Sequence, residues 1–237
     1  MKKTYVLGVF LLLVSNGQAQ LSRAESAFSI VSPPEQDMET ERIISVTRLR
    51  HKLGRKAAAA YARAEKFVRA GALQNGVREL QKAVAFDPEF PEAHGNLGAQ
   101  YVRLGLVEDA LKELRCAAGL DPRNSIHHAN LAIALVMVNR LNEAEVEAQS
   151  AVSLDGTNFR AQYMYGVLLA RKASNWDSAI PHLVYAGRFV PESHLTLAQV
   201  YSAQGAAPQA QAELSRYNLM QDKLKNNPVR SAALFGQ

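Results

Sequence analysis

Six histidines, one cysteine and a pair of asparagines are the side chains of this chain whose types and spacing invite a chemical reading. His94 and His128 are separated by the same interval as Asn96 and Asn130, and His127 and His128 are consecutive. Consecutive residues of a helix point to different faces, so the neighbouring imidazoles do not share a metal ion. His94 and His128 are expected to be packing residues. No serine stands in a Gly-x-Ser-x-Gly nucleophile motif, and the glycines occur singly instead of in a phosphate-cradling loop. Cys116 has no second cysteine to pair with, and it is expected to be a small residue packed between helices. A redox thiol or dimer bridge would need exposure and a lowered pKa. No catalytic residue, metal ligand or cofactor is therefore assigned. Asn96 and Asn130 each carry an amide that both donates and accepts hydrogen bonds, which suits the backbone of an extended peptide.

The elements that must position these groups follow the same interval. Leu97-Gly98-x-x-Tyr101 is followed by Gly105, Ala110, Leu114, Ala117 and Pro122. The set recurs one interval earlier as Arg63-Ala64-x-x-Phe67, Gly71, Gly76, Leu80, Ala83 and Pro88, and one interval later as Leu131-Ala132-x-x-Leu135, Asn139, Ala144, Ala148, Ala151 and Gly156. A fourth copy runs from Tyr165-Gly166 to Pro191, with one residue inserted around Ala173 to Asp177, and a fifth runs from Leu197-Ala198 to Tyr217. Large residues fall at helical spacing and fill the space between helices. Small ones let the partner helix come close. Asp87-Pro88, Asp121-Pro122 and Pro191 are stop signals, and Gly71, Gly105 and Asn139 suit a left-handed helix C-cap. The spacing from the fourth to the fifth copy falls short of the interval, which predicts a tighter or rotated junction there.

This pattern resembles the tetratricopeptide repeat family, whose unit is a pair of antiparallel helices repeating every ~34 residues. The resemblance implies an all-α, right-handed superhelical solenoid of five repeats over residues 57–225, divided as 57–90, 91–124, 125–158, 159–191 and 192–225. It also implies a binding protein in place of an enzyme, with the first helices lining a concave groove that receives a peptide. By that analogy the candidate binding residues are Tyr61, Arg69, Asn96, Arg103, Asn130, Ile133, Met137, Tyr163 and Arg171. The partner they suit is a protein segment with apolar side chains flanked by acidic ones. The carboxylate clamp of some relatives is not expected, because Tyr61 and Glu65 replace its first-repeat members.

Residues 1–19 read as a secretory signal peptide: Lys2 and Lys3, an apolar run from Tyr5 to Val14, then Asn16-Gly17-Gln18-Ala19. The apolar run is short for a membrane span, although an uncleaved anchor is the alternative reading. The expected location is periplasmic or secreted. Removing the two lysines takes the net charge from +5 to +3, too mild a bias for a nucleic-acid partner. Residues 20–56 read as a linker with a capping helix, basic over residues 48–56 and suited to contact with anionic lipid. Residues 226–237 read as a flexible tail. A self-associating structural protein at a membrane surface is the alternative function.

Overall fold

The computed structural model describes residues 53–225. The expected leader, the linker, most of the basic segment and the tail lie outside these residues. Within the described residues ten α-helices follow one another: α1 Arg55–Arg69, α2 Leu73–Phe86, α3 Pro91–Arg103, α4 Val107–Leu120, α5 Ser125–Met137, α6 Leu141–Leu154, α7 Phe159–Ala170, α8 Trp176–Ala186, α9 Glu192–Ala203 and α10 Ala207–Lys225. Odd helices are the first and even helices the second of each repeat. The solenoid of five helix pairs expected from the sequence is the architecture found. Arg55 and Lys56, placed by the sequence reading in a separate basic segment, form the first turn of α1.

Helix ends fall where the backbone chemistry puts them. The second helices stop at Phe86, Leu120 and Leu154, one residue before Asp87, Asp121 and Asp155. Asp87 and Asp155 each offer a carboxylate oxygen to the amide two residues on, which fixes the turn into the next repeat. Gly71, Gly105 and Gly205 have φ between 72° and 78°, and Asn139 has φ 59°. Each follows a first helix and closes the same turn, in which Ala72, Leu106, Arg140 and Ala206 donate their amides to the carbonyls of Phe67, Tyr101, Leu135 and Tyr201. Repeat 4 departs from this device. Its inserted residue is absorbed by a 3₁₀ turn, Ala173–Asn175, and the Trp176 indole N–H donates to the Ala170 carbonyl at 3.0 Å.

The shortfall between repeats 4 and 5 is not taken from the connection. The segment from Gly187 to Pro191 is no shorter than residues 87–90, 121–124 or 155–158; instead α8 has 11 residues where α2, α4 and α6 have 14. Val190 is 7% exposed and fills the place that Phe90, 6% exposed, holds in repeat 1. The connection must still reach that core position, so the exposed end of the helix is the part that can be lost.

Each first helix packs on the second helix of its own repeat and of the preceding one, and α3, α5, α7 and α9 also touch in succession. This makes the first helices the inner layer. Leu80, Leu114, Leu135, Leu183 and Leu197 are fully buried between the layers. Their fit depends on the small positions opposite. A Cβ on Gly98 would lie 2.5 Å from Leu114 Cγ and 3.2 Å from the Ala110 carbonyl, and one on Gly166 would lie 2.8 Å from Leu183 Cγ. Gly119, late in α4, has nothing within 4 Å. His127 sits on a third close approach. It is buried at 4% exposure, neither ring nitrogen has a hydrogen-bond partner, and a Cβ on Gly95 would meet its Nδ1 at 2.7 Å. Burial pushes this imidazole down to about 4, with His128 and His94 adding to the effect and Asp121 opposing it.

This packing makes opposite demands on two glycines. Gly98→Ala should lower stability by about 1 to 3 kcal/mol despite alanine's better helix propensity, while Gly119→Ala should raise it by up to about 1 kcal/mol; urea unfolding of the pair distinguishes steric from propensity effects. Because folded His127 resists protonation, its contribution is fully present above the ordinary imidazole range near 6.5 and is lost as pH falls toward 4. That loss is about 3 kcal/mol. His127→Leu should therefore gain on the wild type progressively between those pH values, and unfolding midpoints that stay parallel would refute the assignment.

Candidate binding groove

The inner layer presents a repeating set of positions from each first helix. Near the helix starts stand Glu92, Ile126, Arg160 and Glu192, and near the helix ends stand Arg69, Arg103, Met137 and Arg171. Cations at the latter positions also meet the negative end of the helix dipole. Arg69 is exposed and lies 3.4 Å from Glu65 on the same helix. Arg103 is half-buried, donates to Gln100 Oε1 at 3.1 Å, and has its guanidinium pushed down by burial. Arg171, the C-cap of α7, is exposed. Met137, half-buried, packs on the core of repeats 2 to 4.

Tyr61 and Asn96 are brought together. The Asn96 amide donates to the Tyr61 hydroxyl at 2.7 Å, and the Tyr61 ring packs on Phe90 with centroids 4.9 Å apart. One donor of Asn96 is thus engaged across α1 and α3. Asn130 has no such neighbour, since Gly95 occupies the place one repeat after Tyr61. Ile133 is only 7% exposed and joins a buried cluster with Met164 and Leu168 of α7, so it offers little surface to a ligand. The apolar side chain that does stand out on α5 is Ile126, half exposed at 50%. Toward the far end, half-buried Tyr163 faces Glu192 and Thr196 of α9. Burial, then the charge of Glu192, push its hydroxyl up, against a hydrogen bond with Thr196. Burial also raises the Glu192 carboxyl and lowers the Arg160 guanidinium.

The histidines take a structural arrangement that sequence reading caught only in part. His94 Nδ1 lies 2.6 Å from Glu113 and its Nε2 lies 3.0 Å from the Pro88 carbonyl. His128 repeats this with Glu147 at 2.7 Å and the Pro122 carbonyl at 3.0 Å, and His194 with Glu213 at 2.6 Å and the Gly187 carbonyl at 3.0 Å. Each ring clips the turn before its own first helix to the second helix of the same repeat. The glutamates lie 19 residues downstream, a signal available only once the helix pairing is known. Cys116 is half-buried; burial, then the charge of Glu113, push its thiol up against the influence of Lys112. That is the state of a packed thiol and not of a nucleophile. Among the described residues, no group of three or more histidine, cysteine or acidic side chains could hold a metal ion.

No family model and no curated protein sequence matches the chain. Solved structures do. Residues 41 to the end of MamA from Desulfovibrio magneticus superpose with a TM-score of 0.60 at 16% identity, covering 73% of this chain and 98% of that one. TTC0263, a thermophilic tetratricopeptide protein of Thermus thermophilus, gives 0.59 at 21% identity, covering 75% and 98%. YrrB, described as a tetratricopeptide protein with an unusual peptide-binding site, gives 0.55 at 18% identity, covering 75% and 90%. The likeness joins the sequence period, the paired helices and the left-handed turns in one conclusion: this chain has the tetratricopeptide-repeat fold.

Proposed function

We propose that the protein is a non-enzymatic scaffold that binds a peptide segment of an exported or envelope partner along the inner layer. The observation that carries this reading is the row of Arg69, Arg103 and Arg171 at the ends of first helices, on the same layer as the Tyr61–Asn96 pair. Three like charges on helix ends attract an acidic flank and steer its approach, while half-buried Met137 in the same row and exposed Ile126 at the start of α5 supply apolar contact. Asn130, with its amide turned to no described tyrosine, is the residue best able to bond a peptide backbone. YrrB, a peptide-binding protein by its description, supports the reading by fold. The leader-like residues 1–19 support export of the chain.

Fluorescence anisotropy with two synthetic peptides of equal apolar content tests the proposal. The acid-flanked peptide should bind, and weaken as salt rises, whereas the lysine-flanked one should not. Arg69→Glu/Arg103→Glu/Arg171→Glu should reduce binding of the acid-flanked peptide by about tenfold or more, on the order of 1 kcal/mol or above. Equal binding by that variant would move the site to another surface.

A further inference from the structure

The histidine bridges face an excess of acceptors. We infer that His94–Glu113, His128–Glu147 and His194–Glu213 each hold one proton on which their repeat depends, so that repeats 2, 3 and 5 loosen as pH rises while repeats 1 and 4 do not. The argument is one of donors and acceptors. In each bridge both ring nitrogens face groups that can only accept: a carboxylate at 2.6 to 2.7 Å and a main-chain carbonyl at 3.0 Å. A neutral imidazole has a single N–H and can satisfy only one of them. Both bonds require either an imidazolium or a protonated glutamic acid, and the pair as a whole then carries one proton more than a neutral imidazole beside a carboxylate.

The remaining repeats serve as internal controls, because the same positions are filled differently. In repeat 4 the partners are exchanged. Gln162 stands where the histidine would, and His182 stands where the glutamate would. His182 Nδ1 donates to Gln162 Oε1 at 2.6 Å, and Gln162 Nε2 donates to the Gly156 carbonyl at 2.7 Å. The same clip between turn and second helix is closed there with no extra proton. In repeat 1 the histidine position is Ala60, and Glu79 is bonded instead by Arg63 at 2.7 Å and by Lys82. Neither of those donors is an imidazole.

The bridges are well placed to matter. The histidine side chains are 8%, 15% and 11% exposed and the glutamates 15%, 26% and 6%. Around His94 stand Glu113 of α4, itself beside Lys112 and Cys116, and His127 of α5. Around His128 stand Glu147 of α6 and the adjacent His127. Around His194, Glu213 of α10 is shared with Arg216. Keeping both bonds of a bridge ties folding to a proton, so folding stability falls as pH rises. This direction is opposite to that of His127.

Glu113→Gln/Glu147→Gln separates the proposal from a merely structural role. A glutamine amide can donate to Nδ1 and leave the single N–H of a neutral ring for the carbonyl, so both bonds survive without the proton. Stability of the wild type and the variant is measured by urea unfolding from about pH 6 to about pH 9, the range that brackets loss of an imidazole proton. The wild type should lose stability more steeply, with a difference in slope that approaches about two protons. Parallel profiles would overturn the inference. If the variant does not fold, the wild type alone decides: its unfolding free energy should fall between about pH 7 and about pH 9, and a profile that stays flat or rises there would refute the inference.

Discussion

Close approach between the two helices of a repeat is the constraint on which the rest of the solenoid depends. Gly98 against Leu114 and Gly166 against Leu183 leave no room for one further carbon. That distance sets how the large residues interleave, and it brings the second-helix glutamates within reach of the first-helix histidines. It also keeps the inner layer continuous, because a repeat that opened would push its first helix away from its neighbours. Tertiary packing of this kind, more than intrinsic propensity, is what holds helices of 11 to 14 residues together.

The polar bridges divide the labour differently from the apolar core. Burying Leu80, Leu114 or Leu183 fixes the spacing of helices within a repeat, whereas the histidine clips fix the turn that enters it. A repeat solenoid behaves as a sum of units and nearest-neighbour interfaces. A device that acts on turns therefore acts on the interfaces, which are what make such an array cooperative. His127 is the exception, a histidine without polar partners in a slot made by Gly95.

Much of this architecture was legible in the residue order. The period located every helix pair, and Gly71, Gly105 and Asn139 were readable as left-handed caps because few other residues tolerate that conformation. The junction after α8 was legible only as a shortfall, since spacing shows that residues are missing but not whether a helix or a loop gives them up. The groove was legible as positions and not as contacts. Asn96 and Tyr61 were each picked out, yet their mutual bond spans two repeats. Ile133 looked like lining until α7 closed over it with Met164 and Leu168. The histidine bridges escaped for a related reason. His194 falls short of two full periods after His128, and the glutamates sit on the opposite helix.

Repeat 4 carries the chain's one tryptophan at the point where the regular turn is replaced. Trp176 reaches back with its indole to the Ala170 carbonyl, so its emission reports the local environment of that interruption and of little else. Circular dichroism, by contrast, averages over every helix. The chain thus contains a built-in optical probe of a single repeat, and the separation of the two signals during unfolding is a direct readout of how far the array melts as one body.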